Sequence, residues 1–126
     1  FEPSLLFRSK AGNFFLSPSE IIKYNFNSDM VVLSACNTSS NSFVGLFDSF
    51  MIAGAKSVVH SNWNLESAFA SEFTTAFFEE LWISENPKHI AIRDVALNFM
   101  SDYKNLDYIH PAFWGNFSLI YSDISL

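Results

Sequence analysis

Two short segments of the chain read as buried β-strands, and a helix-like segment separates them. Met30–Ser34 is a largely apolar run, and Lys56–His60 contains two adjacent valines. Between them, large apolar residues recur at helical spacing, namely Phe43, Leu46, Phe47, Phe50 and Met51. A continuous apolar strand is typical of a parallel sheet that is covered on both faces. This strand–helix–strand order therefore predicts right-handed crossovers and a mainly parallel sheet.

The other segments predict elements that surround this unit. Ser4–Arg8 predicts a short strand, and Lys10–Phe14 predicts a turn. Gly54 is predicted to end the helix between the two buried strands. The remaining predicted elements are a short helix begun by Ser17 and Pro18 with Glu20 as its capping-box partner, a helix from about Glu66 to Trp82 with Phe69, Phe73, Phe77 and Leu81 on one face, a helix opened by Asn86-Pro87 with an inward stripe of Ile92, Val95, Ala96, Phe99 and Met100, and a closing strand Phe117–Tyr121. The predicted fold class is α/β, in three layers, with helices flanking a mainly parallel central sheet.

Composition and charge exclude several classes of function. Of the 126 residues, 49% are hydrophobic and 17% are aromatic, so the chain buries a core and is not disordered. The net charge is -6 and the seven basic residues are scattered, which argues against a nucleic-acid partner. No apolar run approaches the roughly 20 residues that span a bilayer, and there is no signal-peptide pattern. We therefore expect no membrane partner.

The only cysteine, Cys36, directly follows the first buried strand. A single thiol excludes an internal disulfide and a Cys-based zinc site, and a cytoplasmic setting fits best. Ligands of open parallel sheets bind beyond the carboxyl ends of the strands. The polar residues Asn37–Ser40 would leave room for a substrate there, and the next helix would favour a thiolate. The position predicts a nucleophile that attacks a carbonyl carbon. The alternative is a buried cysteine that acts as a small hydrophobe.

The end of the second strand offers a wall for a binding groove. If the two strands are parallel neighbours, Ser61, Asn62 and Trp63 flank Cys36. An extended segment can pair with a peptide backbone by strand addition, and Trp63 would wall a side-chain pocket. The alternative for Trp63 is a plain core tryptophan. The three histidines are too dispersed for a metal site, so no metal and no cofactor are expected.

Three separate blocks of sequence together resemble the CHAT domain. They are LSACNT at 33–38, AGAKSVVHSNW at 53–63 and HPAFWGNFSLI at 110–120, with the EPSLLF strand and the SPSEI helix in the expected order before them. CHAT domains belong to the caspase-like cysteine peptidases, which are related to separase and the gingipains. The resemblance implies a caspase-like sandwich and an endopeptidase that works through a Cys-His dyad and an acyl-enzyme.

The resemblance also implies roles for particular residues. Cys36 falls on the family's nucleophile, and the substrate backbone would lie along Ser61–Trp63. The family's histidine, in a His-Gly turn, lies upstream of the EPSLLF strand. Residues 1–126 are therefore expected to be a partial CHAT domain that lacks the His-Gly segment and is inactive alone. The implied partners are a protein or peptide substrate and, in the parent chain, the helical repeats that CHAT domains often follow.

Three points stay open at this stage. His60 is the candidate within the chain that would replace the upstream histidine as general base, because its strand is predicted to end beside Cys36. Some relatives carry an Asp four residues after this tryptophan, where it receives a basic side chain, but Ser67 stands there and Glu66 is its neighbour. Glu66 either supplies that charge or merely favours the helix N-terminus. The alternative function is a non-catalytic caspase-like protein-interaction module. A flavodoxin-like small-molecule binder ranks last, since no phosphate-binding loop is visible.

Overall fold

The computed structural model describes residues 4–34, 44–64, 66–101 and 106–121. Its elements, in chain order, are β1 (Leu5–Ser9), β2 (Gly12–Leu16), α1 (Pro18–Ile21), β3 (Val31–Leu33), α2 (Val44–Ile52), β4 (Ser57–Ser61), α3 (Ser67–Trp82), α4 (Lys88–Met100), a 3-10 helix (Leu106–Ile109), α5 (Pro111–Trp114) and β5 (Phe117–Tyr121). The fold is mixed α/β, as predicted. Within the described ranges, no helix has the length and apolar character that crossing a bilayer requires.

The strands form two small sheets. β1 and β2 make an antiparallel hairpin, and β4 lies between β3 and β5 in a three-stranded sheet. The Lys56 N–H donates to the Ser28 carbonyl at 3.0 Å, so β3 and β4 begin side by side and run in the same direction. The Asn62 N–H, just past the end of β4, donates to the Asn116 carbonyl at 2.8 Å, just before β5 begins. β5 is therefore antiparallel to β4.

The prediction of a mainly parallel sheet is not confirmed. Among the described strands, the β1–β2 and β4–β5 pairs are antiparallel, and only β3 and β4 run in parallel. Part of the error lies in Lys10–Phe14, which was predicted to be a turn. The turn is Lys10 and Ala11, and Gly12–Leu16 is itself a strand. A run of apolar residues predicts burial, but it carries no information on the direction of the neighbouring strand.

The described chain forms two compact units. The first contains the hairpin, α1 and α2, and the second contains α3, α4 and α5. The strands β3, β4 and β5 are each divided between the two units. In the first unit, the predicted capping box is confirmed. The Ser17 N–H donates to Oε2 of Glu20 at 3.0 Å, and Pro18 takes the first position of α1. This hydrogen bond stabilises the carboxylate and lowers the pKa of Glu20.

Gly54 ends α2, as the sequence predicts. Its φ is +103°, in the region that favours glycine, and its N–H donates to the Met51 carbonyl at 3.1 Å. The next N–H, of Ala55, donates to the Phe50 carbonyl at 3.0 Å. These two bonds form a Schellman motif, which satisfies the last carbonyls of the helix. The motif turns the chain from α2 into β4.

An aromatic cluster forms the core of the second unit. Of the predicted inner face of α3, Phe69, Phe73 and Phe77 are all buried, and Leu81 is half-buried. Phe73 stacks on Phe117 of β5, with ring centroids 4.3 Å apart and planes 11° apart. Phe69 packs edge-on against Tyr108 at 4.8 Å. Aromatic pairs in these geometries stabilise a core beyond the area that they bury.

The predicted inward stripe of α4 is confirmed in part, since Val95 is buried but Ile92, Ala96 and Phe99 are half-buried. Ala91 and Val95 are buried, and Phe99 packs edge-on against Phe69 with centroids 4.9 Å apart. Met100, predicted to face inward, is 40% exposed. It is the final residue of α4, where the helix leaves the core.

We expect Phe73→Ala to lower the free energy of unfolding by about 3–5 kcal/mol, because it removes a buried ring and leaves a cavity beside Phe117. Chemical denaturation followed by circular dichroism measures the change. The control is Leu106→Ala, because Leu106 is 71% exposed and should cost less than about 0.5 kcal/mol. Equal losses in both variants would contradict this assignment of the core.

The raised pKa of Tyr108 predicts that the folded state loses stability at high pH. Burial raises the pKa of Tyr108, and the carboxylates of Glu72, Glu66 and Asp107 raise it further. In the unfolded chain the pKa of tyrosine is about 10. The stability that the neutral Tyr108 hydroxyl contributes is therefore complete below about pH 10, and it is lost as the pH rises through the pKa of Tyr108 in the folded state. In urea titrations from neutral to alkaline pH, Tyr108→Phe should lose this part of the pH dependence. The exposed Tyr24→Phe should keep it, and a Tyr108→Phe profile like wild type would refute the prediction.

Candidate functional site

The predicted nucleophile Cys36 and the polar residues Asn37–Ser40 lie outside the described residues. The described chain reaches Ser34, the residue after β3. Since β3 and β4 begin side by side and run in the same direction, Ser34 and Ser61 lie at the same edge of the sheet. The sequence predicted that these two strands end at one edge. What can be built from the structure is therefore the surroundings of the predicted site.

A buried amide, Asn116, holds the turn that leaves β4. Its Oδ1 accepts hydrogen bonds from the N–H groups of Asn62 at 2.7 Å and Trp63 at 3.0 Å, and its Nδ2 donates to the Trp63 carbonyl at 2.9 Å. Its side chain is fully buried, with 0% exposure. The Asn62 side chain donates in turn to the Asn116 carbonyl at 2.7 Å. Such a satisfied network fixes one conformation of the turn.

Sequence reasoning missed Asn116. It stands between Gly115 and the apolar strand Phe117–Tyr121, and an asparagine in such a place usually indicates a surface turn. Its partners are more than 50 residues away in the chain. The only sequence signal is that a second asparagine, Asn62, ends the other strand of the pair.

The predicted substrate-binding residues differ in exposure. Ser61 is buried at the end of β4, whereas Asn62 and Trp63 are exposed. The Trp63 ring is 40% exposed, so the alternative of a plain core tryptophan does not hold. Its Nε1–H donates to the Ala112 carbonyl at 2.8 Å, which fixes the orientation of the indole. The ring is thus held in one orientation and partly exposed.

The bonds of Asn116 restrict strand addition along this segment. They engage the N–H groups of Asn62 and Trp63 and the carbonyl of Trp63. A substrate backbone that paired with Trp63 would compete with Asn116 for these groups. The role of Ser61, Asn62 and Trp63 in substrate binding stays a prediction.

The histidines occupy three different settings. His60 is half-buried on β4, with Nδ1 3.3 Å from the carbonyl oxygen of Ser61. His110 is the N-cap of α5, where its Nδ1 accepts from the Ala112 N–H at 3.1 Å, and His89 is exposed in the first turn of α4. Among the residues that the structure describes, no group of three or more His, Cys, Asp or Glu could hold a metal ion.

A pocket of about 350 Å³ opens beside Ser34. Its described lining consists of Ser34, Ser67, Ala70, Ser71, Thr74, Thr75 and Phe78. Apart from Ser34, these residues come from α3, on a different face from Phe69, Phe73 and Phe77. Five of the seven carry hydroxyl groups, and none of the seven is charged. We call it the hydroxyl pocket.

Glu66, predicted to contact the substrate, is the exposed N-cap residue of α3, and its carbonyl accepts from the Ala70 N–H at 3.1 Å. The described lining of the hydroxyl pocket includes Ser67 but not Glu66. Neighbouring helix residues point about 100° apart, which accounts for the difference. Contact between Glu66 and a substrate stays a prediction.

A second pocket, of about 500 Å³, lies between α3 and α4. Glu79 and Glu80 line it, and Oε2 of Glu80 accepts a hydrogen bond from the Asn86 side chain at 2.9 Å. Its described lining shares no residue with the predicted site. We therefore assign no part of that site to it.

We expect Asn116→Ala to lower the free energy of unfolding by about 1–3 kcal/mol, because it removes a buried side chain and leaves the part-buried N–H and carbonyl of Trp63 without their partner. Urea denaturation measures the loss. The matched control is Asn64→Ala, an exposed asparagine two residues after Asn62, which should change stability by less than about 0.5 kcal/mol. If Asn116→Ala leaves the free energy of unfolding unchanged, the turn does not depend on the Asn116 amide.

The comparisons with known proteins agree with the sequence blocks. The family model of the CHAT domain matches residues 2–122. Searches of curated proteins and of solved structures found no match. The family match contains the block around Cys36, both predicted site segments and the turn held by Asn116. Because it extends over nearly all of the 126 residues, this chain belongs to the CHAT domain family.

Proposed function

We propose that the chain is the cysteine-bearing part of a caspase-like cysteine endopeptidase domain, with Cys36 as the nucleophile. Membership of the CHAT family carries this proposal, because the match includes the LSACNT block that contains the only cysteine. The parallel β3–β4 pair supports it, since Ser34 and Ser61 lie at one edge of the sheet. The finer architecture, a three-layer caspase-like sandwich, is part of the same proposal.

The proposed mechanism has two steps. The Cys36 thiolate attacks the carbonyl carbon of a peptide bond, and the C–N bond breaks as a histidine gives a proton to the leaving amine. Water then attacks the resulting thioester and passes a proton to the histidine, and the C–S bond breaks to release the acid and the Cys36 thiolate. N–H groups, including that of Cys36, would hold the negative oxygen in both steps. The reaction needs no cofactor.

The general base is proposed to be the histidine of a His-Gly turn outside these 126 residues. The positions of two histidines within the chain support this choice. His110 caps α5, and His89 is exposed on α4. His60 remains the only substitute, although it is half-buried and its Nδ1 faces the carbonyl of Ser61. On this proposal residues 1–126 have no activity by themselves.

The proposed substrate is a protein or peptide chain that lies beside Ser61, Asn62 and Trp63. The exposed indole of Trp63, fixed by its bond to Ala112, would contact a substrate side chain. Helical-repeat domains in the parent chain are proposed as the partners that control access. Glu66 is proposed to stabilise the N-terminus of α3 rather than to bind a basic side chain.

A second candidate function is a non-catalytic protein-interaction module. One observation favours it, because Asn116 already engages the Trp63 N–H and carbonyl that an added substrate strand would use. Within the first unit, the hairpin separately exposes apolar rings, since Phe7, Phe14 and Phe15 are all at least half exposed. Proteolysis that depends on Cys36 separates the two candidates.

We expect the parent protein to cleave members of a fluorogenic peptide library, and Cys36→Ala to lower kcat/KM by more than about 10³-fold. The thiolate is the attacking group, so its removal leaves only the binding contribution. The control is His89→Ala, an exposed residue away from the sheet edge, which should keep wild-type activity. Activity that survives Cys36→Ala would refute the peptidase proposal. His60→Ala should also stay active, and its inactivation would move the base to His60.

A further inference from the structure

The hydroxyl pocket has the dimensions of a site for one side chain. Its volume of about 350 Å³ is at the lower end of the range of ligand pockets, roughly 300–1,000 Å³. Ser67, Ser71, Thr74 and Phe78 follow one another at intervals of three or four residues and so share one face of α3. A hydroxyl-rich pocket of this size, with the Phe78 ring in its lining, suits a short polar side chain.

Thr74 adds a buried hydroxyl that has no hydrogen-bond partner. The side chain as a whole is only half-buried and lines the pocket. A helical threonine populates two χ1 rotamers, so Oγ1 has a second position open to it. Turning Oγ1 toward the pocket breaks no existing hydrogen bond. A bound polar group would satisfy a hydroxyl that is otherwise unpaired.

Ser34 ties this pocket to the predicted nucleophile. Only one residue separates Ser34 from Cys36, and successive Cα atoms are about 3.8 Å apart, so the two Cα atoms can be at most about 7.6 Å apart. The side chain of the residue whose carbonyl is attacked must lie within a few ångströms of the thiol. The hydroxyl pocket is therefore in reach of that side chain.

The described lining cannot neutralise a charged substrate side chain. A desolvated lysine or arginine needs a carboxylate partner, and the described lining carries none. Glu72, on the same helix, accepts a hydrogen bond from the Tyr108 hydroxyl at 3.4 Å and so lies toward the aromatic core. Glu66 is the N-cap residue and is not in the described lining. Hydroxyl groups, in contrast, both donate to and accept from neutral amides and alcohols.

We infer that the hydroxyl pocket receives an uncharged, hydrogen-bonding side chain of the substrate, such as glutamine or asparagine, on the acyl side of the cleaved bond. The inference rests on the proposed function, because it assumes that Cys36 attacks the neighbouring carbonyl. It replaces the preference for arginine or lysine that Glu66 would have provided.

The test uses the parent protein and peptides that differ only in the residue before the cleaved bond, either glutamine, leucine or arginine. Wild type should cleave the glutamine peptide at least about tenfold more efficiently, in kcat/KM, than the arginine peptide. Ser71→Asp places a carboxylate in the pocket at an exposed position and should reverse this order. The matched control is Ser84→Asp, the same change at an exposed serine beyond the end of α3, which should keep the wild-type order.

A second variant tests the hydroxyl itself. Thr74→Val keeps the shape of the side chain and should lower kcat/KM for the glutamine peptide by about 2- to 12-fold while leaving the leucine peptide unchanged. A merely structural effect would lower kcat/KM equally for the glutamine and leucine peptides, and this result would overturn the role of Thr74. Wild-type preference for arginine, with cleavage still dependent on Cys36, would overturn the pocket inference and leave the proposed function standing. Failure to cleave any peptide overturns the proposed function, and the pocket inference with it.

Discussion

The packing of one face of α3 against aromatic rings determines where the rest of the second unit lies. Phe73 stacks on Phe117 of β5 at 4.3 Å and on Phe99 of α4 at 5.8 Å, so one side chain joins three elements. Because that face packs into the core, another face of α3 points away from the core. There the serines and threonines line the hydroxyl pocket beside Ser34. The same helix therefore supplies both the core and the candidate binding surface.

The turn after β4 obeys a different constraint, namely the satisfaction of buried polar groups. β5 runs antiparallel to β4, and this direction brings Asn116 beside Asn62 and Trp63. An unpaired buried amide in this place would lower the free energy of unfolding, so the network stabilises the fold only when all of its hydrogen bonds are made. Its completeness has a functional consequence. The Trp63 indole is held in a defined orientation, while the Trp63 backbone is engaged within the protein.

Local signals in the sequence predicted the elements that local chemistry specifies. The capping box at Ser17 and Glu20, the Schellman glycine Gly54 and the phenylalanine spacing of α3 all appear in the structure. Each involves residues within a few positions of one another. The direction of β5, the partners of Asn116 and the hydroxyl pocket were not predicted, because they depend on which distant segments become neighbours. Cys36 illustrates a third case, since its role was predicted from the family resemblance and lies outside the described residues.

Two electrostatic effects would act on a substrate at different ranges. The chain carries a net charge of -6, and such a field attracts basic peptides over about one Debye length, roughly 8–10 Å in physiological salt. The hydroxyl pocket would act only at contact distance, and its described lining offers no charge to a basic side chain. The long-range effect would raise the rate of encounter, whereas the pocket, as inferred above, would select which side chain fits at the reacting carbonyl. Salt screens the first and leaves the second intact, so a basic segment near the cleaved bond and a neutral residue at it are compatible in one substrate.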